Sequence, residues 1–271
     1  MASARAAFGR GPDVDEVRDL RIDTRAGSIA ARLFRPAIPI GLILYLHGGG
    51  WVLGTLDDFD AVARCIAARS RCAVLLPDYR LAPEDPFPAG LEDAEDALLF
   101  AGRHKSAFGA PGAPLVLAGD SAGANLAIAA AVALQGRVPL RLQVLNYPVA
   151  GCELDTPSYR HYAAGFGLTR RDMEWFFEQY APQSRQDPRV SPLNIANLAG
   201  LPPALVVTAE YDVLRDEGEA FARRLAEAGI PTRLNRYDGL THGFLRMHNL
   251  VDAADAALSE IAAAIAEACL T

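Results

Sequence analysis

With 271 residues, the chain can bury a full core as one large domain or two small ones. Hydrophobic residues make up 51% and charged residues 22%, which excludes a disordered chain. A formal net charge of -7 argues against a nucleic-acid or anionic-membrane partner, since either needs a basic face, and leaves a protein that handles small molecules.

Residues 1–17 carry Arg5, Arg10, Asp13, Asp15 and Glu16 and hold no apolar segment of the kind a secretory signal needs. The expected location is therefore cytoplasmic, unless a leader has already been removed. Segments 14–23 and 28–35 alternate apolar and polar residues around a turn at 24–27, which predicts an antiparallel pair. Short apolar runs follow at 42–46, 73–76, 115–118, 142–145 and 205–207, the pattern of strands buried on both faces of a parallel sheet. A more polar run at 232–237 predicts an edge strand.

Helices are predicted between these runs. Segments 59–70 and 91–108 are amphipathic, while 122–134 is apolar almost all round and predicts a buried helix. Leu214, Gly218, Phe221, Leu225 and Ala228 recur at three- and four-residue steps, as do Val251, Ala254, Leu258, Ile261 and Ile265. The alternation predicts one α/β domain with a mostly parallel sheet and helices on both faces. No apolar run approaches the roughly 20 residues that cross a bilayer.

Segment 149–200 breaks the pattern, with no strand and with Tyr159, Tyr162, Phe166, Trp175, Phe176, Phe177 and Tyr180 gathered in it. An insertion so rich in aromatic residues is expected to pack over the carboxyl end of the sheet. Most of its rings should form a small core of its own and some should line a pocket. Cys65, Cys72, Cys152 and Cys269 show neither a CxxC pair nor zinc-site spacing, and are expected to be free, mostly buried thiols.

Gly119-Asp120-Ser121-Ala122-Gly123 stands between the run 115–118 and the helix 122–134. A sharp strand-to-helix turn thrusts its central side chain outward and needs flanking glycines, because a Cβ there would strike neighbouring backbone. The pentapeptide alone is a weak signal; its strand-then-helix setting makes Ser121 the candidate nucleophile. The helix start also favours a developing oxyanion.

A serine hydroxyl needs a base to take its proton. Of His47, His104, His161, His242 and His248, the candidate is His242, because Asp238-Gly239-Leu240-Thr241-His242-Gly243-Phe244 reads as the loop between the last strand and the last helix. A carboxylate must orient that imidazole, and the order serine, acid, histidine puts it after the run 205–207. Asp212 is the first choice, with Asp216 and Glu210 as alternatives. His47-Gly48-Gly49-Gly50-Trp51 follows the strand 42–46; three consecutive glycines suit amides that must approach a ligand closely. Ala122 supplies a further amide.

These motifs, with Asp78-Tyr79-Arg80-Leu81-Ala82-Pro83-Glu84, Leu201-Pro202-Pro203-Ala204, Glu210-Tyr211-Asp212 and His242-Gly243-Phe244, resemble the bacterial hormone-sensitive-lipase family of α/β-hydrolases over about residues 14–265. The resemblance implies an α/β-hydrolase fold with an eight-stranded sheet. The helical cap would come from about residues 1–13 and 149–200 of a single domain spanning 1–271. It also implies a carboxylesterase that works through an acyl-enzyme on esters of short to medium acyl chains, with no metal and no cofactor. By position, Gly49, Gly50 and Ala122 look like the oxyanion donors, and Asp78, Tyr79, Arg80 and Glu84 like a structural network. Family members often pair through the edge strand, so a homodimer is possible.

The chain departs from the family pattern at Asp85, where histidine is usual, at Ala124 for a second glycine, and at Val213 for proline. Its lead-in before the first strand is also short. Other readings are an amidase, arylformamidase or lactonase on the same fold, or a non-catalytic ligand receptor, which would need a broken triad.

Overall fold

The chain opens with a hairpin, β1 (Glu16–Thr24) and β2 (Gly27–Arg35), and then alternates strand and helix. In order come β3 (Leu42–Leu46), α1 (Leu56–Ser70), β4 (Ala73–Pro77), α2 (Ala89–Phe108), β5 (Leu115–Asp120), α3 (Ala122–Ala133) and β6 (Leu142–Asn146). The segment 149–200 carries α4 (Pro157–His161) and α5 (Arg170–Tyr180), before β7 (Ala204–Tyr211), α6 (Arg215–Glu227), β8 (Thr232–Thr241) and α7 (Asp252–Leu270). The structure is a computed structural model and describes residues 8–271. Its eight strands form one sheet in the order β1-β2-β4-β3-β5-β6-β7-β8. β2 pairs antiparallel with both β1 and β4, and every later pairing is parallel.

The unbroken apolar runs are explained by two cores. In β3, Leu42, Leu44 and Leu46 face the core formed with α2, α3 and α6, whereas Ile43 and Tyr45 face the core formed with α1 and α7. Neither face of a central strand meets water, so polar residues there are few and hydrogen-bonded, as Gln143 and Asn146 are to the Pro202 and Gly119 carbonyls. Helix α3 is apolar almost all round for the same reason: every residue from Ala122 to Ala131 is buried, Asn125 the one polar side chain among them.

The strand order also creates the crevice. From β3 the chain moves outward to β4 and then returns past β3 to β5. The segment after β3 leads to a helix on one face and that after β5 to a helix on the other, so their first residues open a gap at the carboxyl ends of the strands. Those residues are His47 to Gly50 and Ser121.

Two boundaries differ from the sequence reading. β7 continues to Tyr211 and β8 to Thr241, with a register shift between Ala209 and Tyr211. Asp238-Gly239 reads locally as a turn, yet Glu210 accepts a 2.7 Å hydrogen bond from the Gly239 amide and Tyr211 pairs with Thr241. Tertiary pairing overrides the local turn signal. Asp212 and His242 therefore sit directly at two strand ends, and not within a long loop.

The aromatic insertion packs differently from the expectation of a core of its own. Tyr159, Phe177 and Tyr180 join the main core, where the indole of Trp51 stacks on Tyr180 (4.4 Å between ring centres, 6° between planes). Asn125 on α3 donates to the carbonyls of Val149 and Val190, both at 2.9 Å, and Arg224 on α6 donates to those of Leu193 and Ile195, both at 2.6 Å. Trp51 and the main core offer these rings apolar contacts that the short insertion cannot supply to itself.

Of the N-terminal residues 1–13 expected in a cap, 1–7 lie outside the described residues. Phe8 lies under the Arg246 guanidinium, and its carbonyl accepts from Asn249 at 2.7 Å, beside the segment that follows His242. No helix among the described residues is long and apolar enough to cross a membrane.

Candidate active site

β5 delivers Ser121 into an abrupt turn with φ 54° and ψ −120°, a conformation that a non-glycine residue adopts only under constraint. The constraint comes from both sides. The Ser121 amide donates to the Asn146 carbonyl at 2.9 Å, and the Ser121 carbonyl accepts from Asn125 at 3.1 Å. A Cβ on Gly119 would lie 2.6 Å from the backbone of Gly123, and one on Gly123 would run into the carbonyl oxygens of Leu46 and His47. The flanking glycines let α3 start against the end of β3.

Three of the residues named from sequence converge. The His242 Nε2 stands 3.0 Å from the Ser121 Oγ, and its Nδ1 stands 2.7 Å from Asp212 Oδ2. The Asp212 side chain is wholly buried and its other oxygen accepts from the Leu214 amide at 2.9 Å. A carboxylate only accepts, so Nδ1 carries the proton, and the lone pair on Nε2 faces the serine hydroxyl. Tyr147 holds the imidazole edge-on, 4.8 Å between ring centres. Asp216 and Glu210, the alternative acids, are engaged elsewhere: Asp216 accepts from the Ser158 amide and Glu210 from the Gly239 amide.

Opposite the serine lies the glycine loop. Gly49 (φ 124°) and Gly50 (φ 60°) both require backbone conformations disfavoured for other residues. A Cβ on Gly49 would strike the Leu53 carbonyl, and one on Gly50 would enter the ring of Phe176 from α5. Among the described residues, no acceptor meets the amide N–H of Gly49, Gly50 or Ala122. Gly48 serves packing instead: its amide donates to Asp120 Oδ1 at 3.0 Å.

His47 is buried and stacked between Phe59 and Tyr79, and its Nδ1 donates to the Gly48 carbonyl at 2.8 Å. Burial pulls its pKa down to about 4, so it is a neutral prop for the loop. Of the motif Asp78 to Glu84, Tyr79 donates to the His47 carbonyl at 2.6 Å, and Arg80 is clamped by the buried Asp93 at 2.8 and 2.9 Å, while Glu84 is exposed.

Three residues near the site were given no individual role in the sequence reading, although Phe176 was among the insertion rings expected to form a core or line a pocket. Asp120, beside the nucleophile, accepts at one oxygen from Tyr45 and from Gly48, both at 3.0 Å, and so ties the serine turn to the glycine loop. Burial raises its carboxyl to about 6. Glu217 accepts from the amides of Ala150 and Gly151 at 2.8 and 3.2 Å, and burial pushes it up to about 8. Phe176 joins the insertion to Gly50. Asp120 had a signal, its place in the pentapeptide, and Phe176 had one in the aromatic insertion; Glu217 acts through contacts between distant segments that no local pattern marks. Among the described residues no cluster of three His, Cys, Asp or Glu could hold a metal ion.

Comparison with known proteins agrees with this architecture. The profile of a family described as alpha/beta hydrolase fold matches residues 43–246. A carboxylic ester hydrolase, LipN, of Mycobacterium tuberculosis is 42% identical over 94% of this chain and 71% of its own. An ethyl acetate hydrolase of Pseudomonas putida is 37% identical over 97% of this chain and 86% of its own. The crystal structure of EstE1, a thermostable carboxylesterase cloned from a metagenomic library, superposes with a TM-score of 0.92 at 38% identity, covering 99% of this chain and 94% of that one. The chain belongs to the α/β-hydrolase fold family, in the bacterial hormone-sensitive-lipase group that its motifs resemble.

Proposed function

We propose that this chain is a serine carboxylesterase that hydrolyses esters of short to medium acyl chains through an acyl-enzyme on Ser121. The observation that carries the reading is the unbroken relay from the Ser121 hydroxyl through His242 to the buried Asp212, at 3.0 and 2.7 Å. The names of the relatives support esters as the substrate class, and an ethyl acetate hydrolase among them supports short acyl groups.

The steps follow from the donors and acceptors present. Ser121 Oγ attacks the ester carbonyl carbon as its proton passes to His242 Nε2, and Asp212 stabilises the resulting imidazolium. Negative charge gathers on the carbonyl oxygen, which the amides of Gly49, Gly50 and Ala122 would hold; one such donor is worth about 3–4 kcal/mol in well-studied hydrolases. As the intermediate collapses, the imidazolium gives its proton to the leaving alcohol, and water repeats the sequence on the acyl-enzyme.

In this reading residues 149–200 form a cap over the site, joined by the described N-terminal residues 8–13, and the ring of Phe176 against Gly50 bounds the acyl side. Two copies would pair through β8, the last strand of the sheet, whose molar mass in solution tests the point. The deciding experiment is Ser121→Ala assayed on p-nitrophenyl acetate and butyrate. Turnover is expected to vanish while the melting temperature is kept; a folded variant with full activity would overturn the reading.

A further inference from the structure

The carboxyl ends of the strands carry the site just described. At their opposite ends the structure brings two cysteines together. Cys72 immediately precedes β4, and Cys269 lies in the last turn of α7. Their sulfurs are 3.7 Å apart although the residues are separated by 197 positions. Gly41, just before β3, packs flat against the pair: a Cβ there would come within 2.7 Å of the Cys269 sulfur and 3.1 Å of the Cys72 sulfur. No side chain of residue 41 intervenes, and the two sulfurs share one seat. Cys72 is buried, whereas Cys269 is half-buried.

We propose that Cys72 and Cys269 form a peroxide-oxidisable dithiol, a modification site whose disulfide staples the C-terminal helix to the start of β4. The sulfurs, 3.7 Å apart, must approach by about 1.7 Å to reach bonding distance. Chemically, the Cys269 thiolate attacks one oxygen of a hydroperoxide. The O–O bond breaks, Cys269 becomes a sulfenic acid, and the other oxygen leaves as water or an alcohol. The Cys72 sulfur then attacks the sulfenic sulfur: the S–S bond forms, the S–O bond breaks, and a water leaves with the Cys72 proton. Two thiols are oxidised and one peroxide is reduced.

The order of attack has a structural cause. The Cys72 S–H donates to the Cys269 sulfur and the Arg141 guanidinium lies nearby, and both hold the Cys269 thiol below its ordinary range. The same hydrogen bond, with burial, holds the Cys72 proton in place. Cys65 is a natural control, since burial pushes its thiol up to about 11. The cross-link would close a long loop in the unfolded chain, with an expected rise in melting temperature on the order of 5–10 °C.

The test uses the full chain treated with hydrogen peroxide, alkylated in denaturant and digested with trypsin without reductant. Each cysteine falls on its own tryptic peptide, because Arg71, Arg80 and Arg246 bound segments 72–80 and 247–271, and Cys65 and Cys152 lie outside both. The expected product is segment 72–80 joined to 247–271 with the mass of two hydrogens lost. A higher melting temperature that dithiothreitol reverses should accompany it. Cys72→Ser should instead accumulate the sulfenic acid on Cys269 and show no such rise. Ester turnover should stay within about twofold of the untreated protein, since the pair lies at the far end of the sheet from Ser121. Full alkylation of both cysteines after peroxide, or sulfinic acid on Cys269 of the wild-type chain without a linked peptide, would overturn the proposal. The wild-type peptide map decides it even where a variant folds poorly.

Discussion

Replacing Asp212 by Asn tests the relay at its most informative point, because the substitution keeps shape and changes only what the group can accept. Asp212 faces two donors in a fully buried site: the Leu214 amide at 2.9 Å on one oxygen and His242 Nδ1–H at 2.7 Å on the other. An asparagine has one accepting oxygen. If that oxygen meets the Leu214 amide, whose direction the backbone fixes, the NH2 group faces Nδ1 and the imidazole must turn to the other tautomer. Nε2 then carries a proton and cannot take one from Ser121. If the amide flips, two donors oppose each other at 2.9 Å in a dry site, which costs about 1–3 kcal/mol and loosens the loop. The same substitution in a protease triad lowers kcat by about 10⁴, or about 5 kcal/mol of barrier, and a loss of 10³–10⁴ is expected here. Steady-state hydrolysis of p-nitrophenyl butyrate, with circular dichroism to establish that the variant is folded, measures it. A loss of less than about tenfold in a folded variant would refute the tautomer argument.

Two further outcomes follow from packing and burial. Gly123→Ala drives a methyl group into the Leu46 and His47 carbonyls, so the urea midpoint should fall by the equivalent of about 1–3 kcal/mol or more, with activity falling as the serine turn shifts; an unchanged midpoint would contradict the close approach. Glu217 is raised from 4.5 to about 8 by burial, helped by the neighbouring charges of Asp212 and Asp216 and opposed by the amides of Ala150 and Gly151. A raised carboxyl binds more protons folded than unfolded, so its contribution to stability is full below about 4.5 and lost as pH rises through about 8. Glu217→Gln keeps an acceptor for the Ala150 and Gly151 amides and removes the charge. Its melting temperature should therefore gain on the wild type by several degrees between about pH 5 and about pH 9; a constant gap would show that Glu217 does not titrate in that window.

The sequence by itself determined the layering of the chain. Apolar runs such as Leu42 to Leu46 have no polar alternate positions because both faces of the strand are covered, and that is a local property a periodicity reveals. The serine turn was legible for a similar reason: Gly119 and Gly123 are needed by contacts within a few residues of each other and of one neighbouring strand. Asp212 and His242 could be named from chain order and loop position, although the strands that deliver them run further than their local residues suggest, because pairing across β7 and β8 overrides the turn signal of Asp238-Gly239.

Tertiary structure alone decided the rest. The distances from Ser121 to His242 and from His242 to Asp212 span 121 and 30 positions of chain, and no pattern of residues fixes such lengths. The merging of the insertion's rings with Trp51, the burial that raises Asp120 and Glu217, and the meeting of Cys72 with Cys269 belong to the same class. Hydrophobic periodicity records which side of an element is dry. It carries no information about which distant element makes it dry, and the charges and contacts of this site depend on that second choice.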